Sequence, residues 1–507
     1  MLGRTWKNVD KDKAEEIRKH LLECGGTEEK VKSPHEVWRI KFSDSTFTFY
    51  SKGTLYATPS PSSDPAVMDM WKYIDSLYGS RYVLPSKEFL IGLDETGKGE
   101  VIGHTFLTGV IFPKEIFYDL DLQIGPADTK KRHEFEYWDK LFGRLDHFRR
   151  LGFEYIIETI PPWHVDKYNL NKIMDVVYQR ILSTFFRKVD MSRCRIVLDD
   201  YGIGPILRRF FNFLKMQGAE IVVTHNADEL YLEAKAASLI SKRFREAQIK
   251  RINENPEFQI NGLSVGSGNA GDMQTLNWLE RWYSVHKSWP WFVKRSFKTV
   301  KQIEGDVSRV EKESPPIREE LLSKEFIEEF NEGHLSIKSL SVFCPSCGSI
   351  NNAMTFAIYK KNNKEISGLQ CPSCKKIVED AGITLRYYCG YVVPDSSIIL
   401  RRLISKDLER SGFFEGFTIV IPRVVKEECD AGRSGKKEFA ELAKFASMGR
   451  IRLEVEEGVE EDMKKLSSLQ RDERIVNTAL MYNAILITAD NTMKLYAMSK
   501  KIFTIFI

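Results

Sequence analysis

FLIGLDETGKGE, residues 89–100, is an apolar run that ends in two adjacent carboxylates, Asp94 and Glu95. The pattern predicts one strand that ends at these acids and a second strand over 101–112. Neighbouring side chains on a strand point to opposite faces of its sheet. One core therefore cannot bury both acids, and at least one of them must face solvent, a metal or a phosphate.

A lysine between two glycines follows the acids. Gly97 and Gly99 allow backbone N–H groups to approach a phosphodiester closely, and Lys98 adds a positive charge there. Taken alone, these residues are also compatible with an acidic strand end followed by an ordinary turn. The choice between the two interpretations depends on the rest of the chain.

The composition fits a protein of several domains that can bind nucleic acid. At 507 residues the chain is too long for one core, and its length predicts three or four domains. The net charge of +4, with 29% charged residues, permits nucleic-acid binding without requiring it. The sequence contains neither an apolar run of about 18 residues nor a signal peptide, so we expect a cytoplasmic protein without membrane association.

Two further apolar strands also lead into acids. Residues 195–202 read RIVLDDYG and include Asp199 and Asp200, whereas residues 220–228 read EIVVTHNAD and end at Asp228. Three acidic strand ends in one α/β region predict a shared carboxylate cluster. Hard divalent cations require such oxygen ligands.

Five ordered motifs resemble those of type 2 ribonuclease H, the ribonuclease HII/HIII group. They are similar to the family's GxDExGxG opening, its D-S-K-x element, its third acid, its fourth acid with the following helix, and its C-terminal signature. In this chain the motifs are 92–99, 128–131, Asp199, Asp228 with 236–242, and 266–272 with 293–299. The resemblance covers about residues 86–302 and implies a ribonuclease H-like mixed sheet with helices on both sides.

The resemblance implies a metal site made of four carboxylates. They are Asp94, Glu95, Asp199 and Asp228, with Asp200 as the alternative to Asp199. Such a site holds two Mg²⁺ or Mn²⁺ ions, one to activate water and one to stabilise the leaving 3′ oxygen. Without cations, four close carboxylates repel one another, so several are expected to be protonated at neutral pH.

The same resemblance implies an endoribonuclease that cuts the RNA strand of RNA–DNA hybrids and leaves 5′-phosphate and 3′-hydroxyl ends. The expected substrate-binding residues are Gly97, Lys98, Gly99, Lys130 and Asn269. The junction-sensing group of the family has arginine where this chain has Lys98, and tyrosine where it has Asn269. We therefore expect this chain to cleave hybrid tracts better than a single embedded ribonucleotide.

Residues 1–85 predict a small α+β domain. A helical pattern covers 11–24, and alternating segments over 36–42, 46–50 and 54–57 predict antiparallel strands. This order resembles the TATA-binding-protein-like N-terminal domain of ribonuclease HIII. The resemblance implies a substrate-binding role.

Four cysteines form two CPSC pairs, which predict a zinc ribbon over 341–380. Each pair places two thiolates on a tight knuckle, and two knuckles supply the tetrahedral sulfur site that is typical of structural zinc. The predicted ligands are Cys344, Cys347, Cys371 and Cys374. The charged stretch over 303–340 is predicted as a linker.

Residues 388–507 again alternate strands and helices, and acids follow several strands. The order D-S-S, P-x-x-V-x-x-E, D-x-x-I and T-A-D-N resembles the PIN-domain ribonuclease family. The resemblance implies a three-layer α/β fold with a second Mg²⁺ or Mn²⁺ site, which cuts or merely binds single-stranded RNA. The implied ligands are Asp395, Glu428, Asp472 and Asp490, with Glu427 as the alternative to Glu428.

The chain is thus predicted to be a multidomain α/β protein with two nuclease modules joined through a zinc ribbon. The alternative is a nucleic-acid-binding or RNA-processing assembly factor in which one of the two acidic clusters is inactive. The sequence does not indicate the oligomeric state.

Overall fold

The chain forms two compact units in the computed structural model. The units comprise 1–203 with 214–335, and 204–213 with 336–507. The residues that the structure describes are 3–62, 64–78, 82–131, 133–305, 340–410, 412–456 and 466–507. Most of the predicted linker over 303–340 lies outside these described residues.

The first sheet of the first unit is built from the N-terminal residues. Its strands are β1 (Arg4–Trp6), β2 (Thr27–Glu28), β3 (Glu36–Phe42), β4 (Ser45–Tyr50) and β5 (Thr54–Ala57). They run antiparallel in the order β1-β5-β4-β3-β2. Alternation along β3 buries Trp38, Ile40 and Phe42 in one core, where helices Lys11–Glu23 and Pro65–Tyr78 also bury apolar residues.

The second sheet of the first unit is mixed. Its strands are β6 (Phe89–Thr96), β7 (Thr105–Pro113), β8 (Glu154–Ile160), β9 (Cys194–Asp199) and β10 (Glu220–Thr224). The order is β10-β9-β6-β7-β8, in which β10, β9 and β6 are parallel and β7 and β8 are antiparallel to their neighbours. The strand predicted over 101–112 begins only at Thr105, because the residues before it form a loop in which Gly103 has a φ of +88°.

Helices pack closely on both faces of this sheet. A Cβ on Gly92 would lie 1.9 Å from the carbonyl oxygen of Glu233, on helix Leu232–Glu254. A Cβ on Gly109 would lie 2.3 Å from Ile181, on helix Leu170–Phe186. The predicted mixed sheet covered by helices is thus confirmed. The other helices between residues 86 and 305 are Phe117–Ile124, Phe135–His147, Pro162–Lys167, Pro205–Met216, Ala227–Leu230, Met273–His286 and Lys298–Glu304.

One eight-stranded sheet organises the second unit. Its strands are β13 (Ala353–Lys361), β14 (Lys364–Gln370), β15 (Ile377–Val378), β16 (Tyr391–Pro394), β17 (Thr418–Ile421), β18 (Arg452–Val455), β19 (Ile485–Thr488) and β20 (Thr504–Phe506). The order is β15-β14-β13-β20-β19-β16-β17-β18. The sequence predicts separate domains over 341–380 and 388–507. In the structure, however, β20 pairs in parallel with both β13 and β19 and so joins the two stretches in one sheet.

Two short strands, β11 (Val342–Phe343) and β12 (Ile350–Asn351), form a separate ladder beside the cysteines. The helices of the second unit after residue 380 are Ala381–Tyr388, Ser396–Leu400, Leu403–Arg410, Arg423–Asp430, Arg433–Ser447, Ser468–Met481 and Asn491–Ser499. Among all the helices in the described ranges, none has the length and apolar character needed to cross a membrane.

Candidate active site and metal centres

The carboxyl ends of parallel strands bring the first set of predicted acids together. β9 lies between β6 and β10, and Leu93 on β6 pairs with Leu198 on β9. Asp94 and Asp199, the next residue on each strand, therefore occupy neighbouring positions at one edge of the sheet. Asp94 is buried, with 7% of its surface exposed.

The third acid reaches the same edge through a turn after β10. Asn226 takes a positive φ of 54°, and the short helix Ala227–Leu230 then begins with Asp228 in its first turn. Asn tolerates this left-handed conformation better than most residues do. The sequence His225-Asn226-Ala227-Asp228 therefore turns the chain sharply enough to present the acid.

The acids at this edge raise one another's pKa. Burial raises the pKa of Asp94 to about 7, and the charges of Asp228 and Asp199 add to the rise. Burial and the adjacent Asp94 raise the pKa of Glu95 to about 8. Burial and Asp228 also raise the pKa of Asp199. Such mutual repulsion is expected where carboxylates converge, and a bound divalent cation would relieve it.

Asp228 differs from the other three acids, because its pKa lies below the ordinary value. Burial, the largest single cause, acts to raise this pKa, but the hydrogen bonds from Thr129 and Lys130 together with the charges of Lys130 and Lys242 outweigh it. The Thr129 hydroxyl donates to Asp228 Oδ2 at 2.6 Å, and Lys130 Nζ donates to Oδ1 at 3.1 Å. Lys130, a predicted substrate-binding residue, therefore holds a predicted metal ligand in this structure.

Two buried or half-buried lysines brace Thr129, and sequence reasoning missed both. Lys242 Nζ donates to the Thr129 carbonyl oxygen at 2.8 Å, and Lys235 Nζ donates to Thr129 Oγ1 at 3.4 Å. The two lysines lie seven residues apart on helix Leu232–Glu254 and so share one face. The local sequence around each lysine is the same as around a solvated lysine, so it gives no signal of these contacts.

Asp199 and its alternative, Asp200, have different surroundings. Asp199 lies among the other acids, whereas Asp200 Oδ1 accepts the N–H groups of Gly202 at 2.9 Å and Ile203 at 3.3 Å. Asp200 thus shapes the turn that follows β9. This geometry favours Asp199 as the member of the carboxylate cluster.

The glycine motif forms a loop that other residues hold in place. Gly97 has a φ of +94°, and a Cβ there would lie 2.4 Å from a backbone oxygen, so only glycine fits. The fully buried Lys294 ammonium donates to the Gly97 carbonyl. Lys98 Nζ donates to the Tyr201 carbonyl at 2.6 Å and lies 5.3 Å from that residue's ring centroid. A Cβ on Gly99 would meet open space.

Asn269 lies in a loop that contacts the residues after the glycine motif. The Gly268 carbonyl accepts the N–H groups of Val101 at 3.0 Å and Ile102 at 3.2 Å. The Asn269 side chain accepts the Gly271 N–H at 2.8 Å and so closes its own turn. The structure therefore places Asn269 beside the stretch that contains Gly97, Lys98 and Gly99.

Comparison with known proteins identifies this part of the chain. Residues 91–300 match the family model of ribonuclease HII. The ribonuclease HII of Methanobrevibacter smithii is 30% identical over 224 residues, which are 43% of this chain and 98% of that protein. The chain belongs to the ribonuclease HII family.

Other members of the ribonuclease HII family show the same extent of similarity. The ribonuclease HII of Thermococcus sibiricus is 27% identical over 229 residues, or 44% of this chain and 94% of that protein. These relatives confirm the prediction that the chain is a ribonuclease H enzyme. The crystal structure of ribonuclease H2 from Pyrococcus horikoshii covers 43% of this chain and 98% of its own, with 25% identity and a TM-score of 0.36.

Outside the ribonuclease HII match, the four predicted zinc ligands converge. Their sulfur atoms all lie within 4.8 Å of one another, with 3.6 Å between Cys344 and Cys374 and 3.7 Å between Cys347 and Cys371. Among the described residues this is the one group of three or more possible ligands that close together, and the carboxylates of both acidic clusters are spaced more widely.

The two cysteine knuckles have the same backbone design. The Gly348 N–H donates to the Cys344 carbonyl at 2.9 Å, and the Lys375 N–H donates to the Cys371 carbonyl at 3.0 Å. Gly348 and Lys375 both have positive φ, 75° and 60°. Each turn thereby points two thiols to one side, which suits a tetrahedral sulfur site.

The second predicted acidic cluster also lies at the carboxyl ends of parallel strands. Asp395 follows β16, and Asp490 comes two residues after β19, its parallel neighbour. Asp472 lies on helix Ser468–Met481. Burial raises the pKa of Asp472, and the charges of Asp490, Asp395 and Glu428 add to the rise, so Asp472 lies close enough to the other three acids to interact with them.

Contacts within this second cluster separate Glu428 from its alternative. The Ser396 hydroxyl donates to Glu428 Oε2 at 2.7 Å, beside Asp395, whereas Glu427 pairs with Arg423 at 3.0 Å one helical turn away. The geometry therefore favours Glu428. Asp395 is 3% exposed and accepts the Ile398 N–H at 3.0 Å, which fixes its carboxylate at the start of a helix.

Proposed function

We propose that the ribonuclease HII part of this chain is a divalent-metal-dependent endoribonuclease that cleaves the RNA strand of RNA–DNA hybrids. The observation that supports this function is the converging edge of carboxylates, at which the pKa values of Asp94, Glu95 and Asp199 are raised. The proposed ligands are Asp94, Glu95, Asp199 and Asp228. Mg²⁺ or Mn²⁺ bound there supplies activation of the attacking water and stabilisation of the leaving 3′ oxygen.

The chain's own residues prepare this edge for a polyanion. Lys130 and Lys242 place positive charge beside Asp228, which limits the repulsion that a phosphodiester would meet. The N–H groups of the loop from Gly97 to Gly99 are the proposed donors to a ribose 2′-hydroxyl, the group that distinguishes RNA from DNA. Hydrolysis at this edge would leave a 5′-phosphate and a 3′-hydroxyl.

Asn269 and Lys98 support a preference for hybrid tracts over one embedded ribonucleotide. Asn269 has no aromatic face to stack on a sugar, and its side chain closes a local turn instead. Lys98 offers a single ammonium, which the Tyr201 carbonyl holds, where an arginine would offer a planar fork. A tract presents many 2′-hydroxyl groups and an A-like shape, so it depends less on any one contact.

The test of the proposed function is the substitution Asp94→Asn. We expect kcat/KM on a hybrid tract to fall by at least about a hundredfold, because a buried metal ligand loses its charge. Asp200→Asn is the matched control and should stay near the wild-type rate.

The test of the substrate preference compares two substrates. Wild-type kcat/KM should be more than about tenfold higher on a tract than on DNA with one ribonucleotide. A fully active Asp94→Asn enzyme would refute the site, and a ratio near one would refute the preference.

We further propose that the second unit binds or cuts single-stranded RNA through its own acids, with Zn²⁺ as a structural ion on the four thiols. The support is the second carboxylate cluster around Asp472 and the convergence of the cysteine sulfurs. Asp395→Asn should abolish single-strand cleavage and leave hybrid cleavage intact. If the wild-type chain binds single-stranded RNA without cutting it, the second cluster is inactive and the unit is a binding module.

A further inference from the structure

The second unit contains a cavity of about 250 Å³. Its walls come from the β13–β14 hairpin and from the helix Leu403–Arg410, with Arg401 and Ile507 completing the rim. The residues that line it are Phe356, Ile358, Glu365, Ser367, Arg401, Leu403, Lys406, Asp407, Arg410 and Ile507. None of these residues belongs to the predicted metal sites.

The floor of the cavity is apolar and held by its neighbours. Phe356 stacks on Phe414 at a centroid distance of 5.7 Å and meets Phe413 edge-on at 5.7 Å, so its ring is fixed. Leu403 also lines the cavity and packs against the hydrophobic core of the second unit. Ile358, another lining residue, keeps 54% of its surface exposed and so offers apolar surface to a ligand.

Three cations stand around this apolar floor. Lys406 Nζ donates to the Arg401 carbonyl at 3.0 Å, and its charge also acts on the buried Glu438 carboxylate. Arg410 meets Glu365 at 3.9 Å, but both side chains are more than half exposed, so water screens this pair strongly. Asp407 accepts the Phe414 N–H at 3.0 Å but keeps its negative charge. The lining therefore carries three cations against two carboxylates, Asp407 and Glu365, and the remaining positive charge favours an anion.

We infer that this cavity binds one nucleotide of a single-stranded RNA, with the base on the apolar floor and the phosphates at the cations. This inference deepens the single-strand binding proposed for the second unit. A free phosphate would leave the apolar floor unused, and an apolar peptide side chain would leave the positive charge of the lining unused. A nucleotide uses both, because its base offers an apolar face and its phosphate is an anion.

The test measures binding of fluorescein-labelled octauridylate to the full chain by anisotropy, in the Asp94→Asn, Asp395→Asn background so that the RNA stays uncut. Replacing Arg401 and Arg410 by Gln should lower the slope of log Kd against log salt by about 1.4, or roughly 0.7 per phosphate contact. Ile358→Thr should weaken binding about three- to tenfold through lost apolar contact. Lys500→Gln, an exposed cation of the same unit, is the matched control and should change neither.

An abasic oligomer of the same length separates base binding from phosphate binding. Ile358→Thr should have no effect on the abasic oligomer, whereas the double arginine variant should weaken both oligomers. Equal affinity of the wild type for the two oligomers would overturn the inference, as would an unchanged salt slope in the arginine variant. Binding of an acidic peptide by a chain that binds no RNA would overturn the inference, because the cavity would then be a protein-binding site. Octauridylate binding that neither variant weakens would overturn the inference alone and leave the proposed single-strand binding of the second unit intact.

Discussion

At the scale of single residues, the buried Lys294 contacts the glycine loop of the proposed active site. Its ammonium is completely buried and donates to the Gly97 carbonyl and, at 3.3 Å, to Thr105 Oγ1. Burial lowers the pKa of Lys294 to about 7, so this amine carries only part of its charge at neutral pH. Both the charged and the neutral form of Lys294 donate hydrogen bonds. The position of the loop therefore depends on the presence of the amino group more than on its charge.

We predict that Lys294→Met lowers kcat/KM on hybrid substrates about ten- to a hundredfold. Methionine keeps the apolar length of the side chain but removes the Lys294 hydrogen bond to the Gly97 carbonyl, which then keeps only the Thr105 hydroxyl, at 3.1 Å, as a side-chain donor. The loss is roughly 1.5–3 kcal/mol. Lys298→Met, on the exposed start of the next helix, is the control. A positioning role also requires that the ratio of tract to single-ribonucleotide cleavage shifts, whereas a uniform loss on both substrates would point to impaired folding.

Residue patterns could predict the acids but not their cationic neighbours. An apolar run followed by a carboxylate indicates a strand end, and parallel strands bring their ends together, so Asp94, Asp199 and Asp228 were accessible from the sequence. Lys242 and Lys294 were not, because each contacts a loop far away in the chain. Along a helix or a loop, a buried lysine has the same local sequence context as a solvated one.

At the scale of elements, the two cysteine knuckles and the strands that follow them depend on one another. We predict about one zinc ion per chain by elemental analysis, and its loss on Cys347→Ser. Without the ion, β13, β14 and β15 should exchange their amide hydrogens faster, because β11 and β12 are short and add few contacts. Cys24→Ser, which removes an exposed thiol of the first unit, is the control. Full zinc content in Cys347→Ser would contradict this assignment.

The sequence could not predict how many strands the sheet of the second unit contains, and the reason is physical. β20 has only three residues, and its partner β13 lies far away in the sequence: Ala353 pairs with Thr504. Local patterns predict that a strand exists, whereas pairing depends on which edge remains open after the rest has folded. The parallel strands β16, β17 and β19 were recognisable because each is a short apolar run with a helix after it.

At the scale of the whole molecule, one buried arginine links the two sheets of the first unit. Arg4 on β1 lies 2.7 Å from Asp75, on the helix that covers the first sheet, and 2.7 Å from Asp121, on helix Phe117–Ile124. One guanidinium thus serves two carboxylates. Burial raises the pKa of Asp75 from 3.8 to about 6, in spite of Arg4, and the charge of Asp121 contributes to the rise.

We predict that this triad makes the junction weaker as the pH rises. The folded pKa of Asp75 exceeds its unfolded value, so its contribution to stability is complete below about pH 4 and is lost as the pH rises through about 6. Relative to Asp75→Asn, the opening free energy of the first sheet should fall by up to about 3 kcal/mol between pH 4 and pH 7, at about 1.4 kcal/mol per pKa unit.

Hydrogen exchange of the amides between Arg4 and Ala57, followed by mass spectrometry and corrected for intrinsic rates, measures this difference. Asp69→Asn, at an exposed position on the same helix, provides the control, and its opening free energy should follow the wild type at every pH. If Asp75→Asn and the wild type show the same pH dependence, the carboxyl group has an ordinary pKa and the triad does not weaken the junction.

The late position of β20 in the chain affects how the protein is made. On the ribosome, the hairpin of β13 and β14 emerges long before β20, so one edge of β13 stays open while the rest of the second unit is synthesised. An open edge strand can pair with other nascent chains. Early capture of zinc by the knuckles would hold the hairpin in place during this interval. When the expressing cell is depleted of zinc, newly synthesised chains should therefore aggregate before completed chains lose their fold.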